Sequence, residues 1–157
     1  MHILTPIMLA IVLSLCCEMA AGDLISIPKQ GTATYVTYYT GLALANLDMS
    51  DTGYALLIEL FGTTRNMDDQ KLFNDMSVHC LCYRVAGSGD VGGAGACTMT
   101  DSDGDHVYTT FDATAQAHTL IGGSGKYKGI SGAASYTALG PGLSWGSSVA
   151  KLTWQFR

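Results

Sequence analysis

Charge is scarce in this chain: only 13% of its 157 residues are Asp, Glu, Lys or Arg, and no two of the eight basic residues, spread from Lys29 to Arg157, are adjacent. Nucleic acids and anionic membrane surfaces both require clustered cations to neutralise phosphates, so neither is an expected partner. Glutamate is nearly missing, with Glu59 the only one beyond Glu18, and lysine is sparse as well. A helical bundle would cover its outer faces with such helix formers, so that class is excluded. Proline is also rare, at three residues, and the formal charge is only -5. Neither a proline-rich linker nor a highly charged disordered chain fits that composition. No repeat of solenoid length, no long segment with a 3.6-residue period and no G-x-S-x-G nucleophile elbow is present.

What the chain does have is an apolar start and a glycine-rich remainder. Residues Ile3 to Cys17 are largely apolar and are followed by Glu18, Met19 and the small residues Ala20, Ala21 and Gly22. This is the form of a secretory signal peptide over residues 1–22, cleaved before Asp23, although the start carries no Lys or Arg. The run is too short for a spanning helix, which needs about 20 apolar residues, so stable membrane insertion is not expected. An exported protein, periplasmic or extracellular, with a single β-barrel domain over residues 23–157 is the expectation.

Nineteen glycines and eight tyrosines favour strands and tight turns. Glycine, proline and Asx punctuation marks eight candidate strands: Thr32–Thr40, Tyr54–Thr63, Met76–Val85, Gly95–Thr100, His106–Ala113, His118–Ile121, Ala133–Leu139 and Ser148–Phe156. The last is the cleanest, with Ala150, Leu152, Trp154 and Phe156 alternating with Val149, Lys151, Thr153 and Gln155. That period of two puts one face in a core. Met67 to Leu72 offers at most a short helical turn. Strands joined by short connections predict an all-β, eight-stranded antiparallel up-and-down barrel, whose closure removes exposed sheet edges. A β-sandwich is the alternative.

Export places Cys80, Cys82 and Cys97 in an oxidising compartment, where disulfide pairing takes precedence over metal ligation. Cys80 and Cys82 lie too close along one strand to join each other, so Cys97 pairs with one of them. Cys82–Cys97 is the first expectation and Cys80–Cys97 the alternative. A zinc site with His79 would match no standard ligand spacing.

Glu59 lies in ALLIELF, sharing a strand face with Leu57 and Phe61. If that face is interior, desolvation suits the carboxylate to general acid or base chemistry; if it is exterior, Arg65 or Arg84 would pair with it. Tyr35 and Tyr39, from the tyrosine-rich first strand, join Glu59 as candidate ligand-binding residues, because phenols combine an apolar body with one polar tip. Asp101, Asp103 and Asp105 in DSDGD form the candidate metal site, with Ca2+ the cation that three carboxylates suit. No cofactor is otherwise implied, and an Asp-rich turn is ordinarily explained by Asx hydrogen bonds and a left-handed glycine, which is the preferred reading. His79, His106 and His118 show no metal-pair spacing, and the Gly87–Gly92 and Gly122–Lys126 strings are hairpin glycines because no helix follows either.

Two segments carry a resemblance. Leu120–Tyr136, LIGGSGKYKGISGAASY, is similar to the GGSG-aromatic-x-G-x-x-G segment of allene oxide cyclase and dirigent-like barrels. Gly95–Asp105, GACTMTDSDGD, resembles a hairpin of small exported bacterial proteins of the same barrel class. The resemblance implies an eight-stranded barrel with an apolar mouth and a small apolar or amphipathic ligand. It hints at a homo-oligomer, which no interface motif in this sequence supports. The plant cyclases place a glutamate on the opening strand, whereas here TATYVTYYT contains no carboxylate, so no catalytic residue carries over. Three functions follow: a ligand-binding barrel, an isomerase or cyclase of a lipid-like substrate using Glu59 or a tyrosine, and a structural or interaction barrel with a filled interior. If the last strand faces the core as its alternation predicts, Trp154→Ala lowers stability by about 3 to 5 kcal/mol. Urea denaturation checks this, and an unchanged midpoint would mean the register is wrong.

Overall fold

The computed structural model describes residues 27–68, 71–87, 91–140 and 145–157. The expected signal peptide over 1–22 lies outside the described residues, as do part of the Met67–Leu72 turn and the centre of the Gly87–Gly92 string. Among the described residues no helix is long and apolar enough to cross a membrane.

Eight strands follow one another in chain order: β1 (Gln30–Asp48), β2 (Gly53–Asn66), β3 (Ser77–Gly87), β4 (Val91–Thr100), β5 (His106–Asp112), β6 (Ala117–Gly123), β7 (Ile130–Ala138) and β8 (Trp145–Phe156). Each pairs antiparallel with the next, and β8 pairs back onto β1 from Gln30↔Gln155 to Thr40↔Trp145, so the sheet closes into an up-and-down barrel. The sandwich alternative is thereby excluded. β1 runs beyond the expected Thr40, because Gly41 continues the ladder opposite Leu60 instead of ending it. A bulge between Ala43 and Ala45 resets the register, and the hairpin then extends to Asp48↔Tyr54.

Alternation sorts side chains between interior and solvent. Along β8, Ala150, Leu152 and Trp154 are buried while Lys151, Thr153 and Gln155 are exposed. Ala33 and Tyr35 of β1, Val78, Cys80 and Cys82 of β3, and Cys97 and Met99 of β4 join them inside. Leu57, Phe61, Leu81, Tyr83 and Ile121 point outward, so the outer wall carries a row of exposed apolar side chains.

One end of the barrel is filled. The segment after β2 folds inward and buries Leu72, Phe73 and Met76. The Phe73 ring stacks on Tyr35 at 5.9 Å and on Tyr127 at 6.4 Å, and meets Trp154 edge-on at 5.5 Å. Backbone groups that enter with the segment are satisfied: the Asn66 amide donates to Leu72 O at 2.6 Å, and Met76 N–H donates to the Thr64 hydroxyl at 3.1 Å. Satisfying these groups removes the main penalty of burying a loop.

The GGSGKYKG turn closes the same region. Ser124 accepts from His106 N–H at 2.9 Å, and a short 3-10 turn over Gly125–Tyr127 delivers the buried Tyr127 ring. Gly125 has φ +51°, and a Cβ there would sit 1.7 Å from the Asp105 carboxylate, so the residue must lack a side chain.

The disulfide joins Cys80 to Cys97, correcting the first expectation of Cys82–Cys97. Register decides it: Cys97 stands directly opposite Cys80, whereas Cys82 stands opposite Gly95. Cys82 is a free, buried thiol whose Sγ is 3.6 Å from Ile58 O.

Candidate ligand-binding site

The end of the barrel away from Phe73 holds a cavity of about 120 Å³. Tyr35 and the Cys80–Cys97 bridge are among its deeper lining, and Tyr39, Phe111, His118 and Tyr136 are among its walls. Each arrives by strand parity: Tyr35 and Tyr39 on β1, His118 on β6 beside Ala134 of β7, and Tyr136 two residues on. Tyr38 lies between the first two and is exposed. Gly146 makes room for Tyr39, since a Cβ at that position would come within 2.7 Å of the phenol oxygen.

The titratable groups of the cavity are held neutral. Burial pushes the Tyr35 phenol up to about 12. Burial also raises Tyr39, against a smaller lowering by the Arg84 charge, and raises Tyr136, with Tyr39 and Asp112 adding to the shift. Burial lowers His118 from 6.5 to about 4. Its ring stacks on Phe111 at 5.6 Å and meets Tyr136 edge-on at 4.7 Å. At neutral pH the cavity therefore presents phenol donors and an uncharged imidazole to an otherwise apolar space.

Glu59 is not in this cavity, so of the two faces left open by the sequence the exterior one holds, and its candidacy as a catalytic or ligand-binding carboxylate of the interior is corrected. It lies on the outer wall, where its Oε1 is 2.7 Å from His79 Nε2 on β3. The His79 ring stacks in turn on Phe61 at 4.8 Å. Leu57, Glu59 and Phe61 do share a face, but that face is the outside, because Ile58 of the same strand is buried. Neither Arg65 nor Arg84 pairs with it: Arg65 lies 3.7 Å from Asp75.

Asp101, Asp103 and Asp105 do come together, around the side chain and backbone N–H of Lys126. Lys126 Nζ lies 2.6 Å from Asp101 Oδ2 and also pairs with Asp103, while Asp105 accepts from Lys126 N–H at 3.1 Å. The other Asp101 oxygen accepts from the N–H groups of Asp103 and Asp105 at 2.9 and 3.0 Å. Burial alone would raise Asp101, but the hydrogen bonds from Lys126, the two N–H groups and Tyr127 outweigh it and hold the carboxyl below its ordinary range. Among the described residues no group of three His, Cys, Asp or Glu side chains is arranged for a metal ion.

Sequence reasoning weighed His118 only as a metal ligand and Arg84 only as a partner for Glu59, and assigned neither to a binding site. The signal for Arg84 was available, since it continues the parity of Cys80 and Cys82. His118 gave less, because β6 is short and both of its faces are mixed.

No protein-family model and no curated protein sequence matches this chain. Among solved structures it is similar to two pterocarpan synthase dirigent proteins. GePTS1 superposes with a TM-score of 0.50 at 10% identity, covering 82% of this chain and 85% of that one. PsPTS1 gives 0.51 at 10% identity, over 83% of this chain and 99% of that one. At such identity the likeness establishes architecture alone: this protein has a closed eight-stranded antiparallel barrel, a fold it shares with these dirigent proteins.

The low His118 pKa makes stability depend on pH. The unfolded imidazole takes up a proton as pH falls through about 6.5, whereas the folded one resists until about 4, so acid in that window favours the unfolded chain. Wild type loses stability on the order of 3 kcal/mol across the window, and His118→Gln flattens that part of the profile. Asp101 acts lower, its contribution being present above 3.8 and lost as pH falls through its depressed value. Urea titrations at several pH values check this; parallel profiles for the two proteins would contradict it.

Proposed function

We propose that this protein is an exported barrel that binds a small apolar or amphipathic molecule through a single ring or short apolar segment seated in the open end. The cavity carries the reading. Its volume of about 120 Å³ is close to the roughly 150 Å³ apolar cavity that accommodates benzene. Apolar walls with a few convergent phenol and imidazole groups are the usual make-up of a small-molecule site. The dirigent architecture supports the reading, and the Cys80–Cys97 bridge is compatible with export. The structural alternative required an interior filled throughout, and here filling stops at the Phe73 end.

Isomerase or cyclase chemistry is the second reading, favoured by the neutral His118 in the cavity wall between Phe111 and Tyr136. A neutral imidazole can orient a bound substrate by accepting or donating a hydrogen bond, while the burial that lowers its pKa to about 4 also makes it a weak base. The outer wall favours self-association: a contiguous row such as Leu57, Leu81 and Tyr83 is the kind of exposed patch that partners cover.

Titration of labelled protein with p-cresol, followed by NMR, is expected to shift amides of Tyr39, His118 and Tyr136 saturably. Ala138→Trp at the rim is expected to abolish those shifts while preserving the circular dichroism spectrum. Unsaturable shifts scattered over the outer wall would remove the cavity reading. Product analysis separates binding from turnover: a binding module returns the ligand chemically unchanged in wild type and His118→Gln alike, whereas an isomerase converts it at a rate that His118→Gln lowers. Sedimentation velocity is expected to show an oligomer that Leu81→Glu dissociates, and a single-chain mass for wild type at tens of micromolar would count against self-association.

A further inference from the structure

Arg84 is a cation that the cavity reading leaves unused: it is not among the residues that line the cavity, but its charge acts on Tyr39, which is. Arg84 continues the inward parity of Cys80 and Cys82 along β3, opposite Leu56 on one side and Gly93 on the other. It is half-buried, and its Nε is sealed from solvent with no hydrogen-bond partner among the described residues. Among those residues, no carboxylate lies within 4.0 Å of its guanidinium, whereas Arg65 is near Asp75 and Lys126 pairs with Asp101 and Asp103. Its charge is felt at Tyr39, a cavity wall residue, where it opposes the effect of burial.

A guanidinium cannot shed its proton, so a half-buried one without an anion keeps both its charge and its unmet donors. Its planar fork fits a carboxylate through two parallel hydrogen bonds. The chain as a whole carries a formal charge of -5, so its long-range field does not gather anions, and selection for one has to be local.

We propose that the barrel mouth recognises an amphipathic carboxylate, with the apolar body in the cavity beside Tyr39 and His118 and the carboxylate on Arg84. The inference rests on the cavity reading and adds the charge of the ligand to it. Cinnamate and its uncharged methyl ester are matched probes, each presenting one ring to the cavity. Calorimetric or NMR titration of wild type is expected to give about tenfold or greater preference for cinnamate, as a charge-assisted pair supplies. That preference is expected to fall as salt is raised. Arg84→Gln is expected to remove it and leave ester affinity unchanged, which also reports that the cavity is still folded. Arg84→Lys, keeping the charge without the fork, is expected to retain part of it. Equal affinity of wild type for the two probes would overturn the inference and leave the cavity reading intact. A preference that survives in Arg84→Gln would do the same. Binding of neither probe at millimolar concentration would overturn both.

Discussion

The placement of one ring, Phe73, governs how this barrel is used. An eight-stranded barrel is near the size at which side chains just fill the interior. Here the filling is uneven: Phe73 enters from the segment after β2 and gathers Tyr35, Tyr127 and Trp154 around it. Large aromatic contacts concentrated at one end supply much of the core. The opposite end, with smaller residues such as Thr37, Ala138 and Ser148 among its lining, is left with a cavity. A closed floor and an open mouth are therefore consequences of a single inserted loop.

Polar groups are divided in the same way. At the filled end they are engaged by the protein itself: Asn66 and Thr64 tie down the inserted loop, and Asp101, Asp103 and Asp105 surround Lys126, the Asp101 Oδ2 being held by the ammonium charge without a hydrogen bond of good geometry. At the open end the phenols of Tyr39 and Tyr136, the His118 imidazole and Arg84 are less completely engaged by the protein. Satisfied buried networks rigidify a fold, and polar groups facing a cavity are available to a ligand. The contrast links the energetics of the fold to the position of the candidate site.

Legibility in the sequence varied with how sharply each segment distinguished its two faces. β8 pairs small and aromatic residues with Lys, Thr and Gln, so its inward face was plain. β2 reads YALLIELF, apolar on both faces, because its outer side belongs to the exposed row that includes Leu57 and Phe61. Alternation there grouped Leu57, Glu59 and Phe61 correctly but gave no basis for deciding which group was inside. The three aspartates were visible as a cluster, yet their counter-ion lies more than twenty residues away in the β6–β7 connection. For the cysteines, both candidate pairings had similar spacing and only the β3–β4 register separated them.

The sequence by itself determined the all-β class, eight strand positions and the alternation of Trp154 into the core, since local periodicity and glycine punctuation act over neighbouring residues. Tertiary structure alone decided that Cys80 and not Cys82 meets Cys97, that Glu59 faces outward, and that Lys126 fills the aspartate cluster. It also decided that Phe73 plugs one end while His118 and Arg84 reach the other. Each of these depends on strand register and barrel closure, which bring together residues that are distant in the chain. Local periodicity contains no information about that juxtaposition.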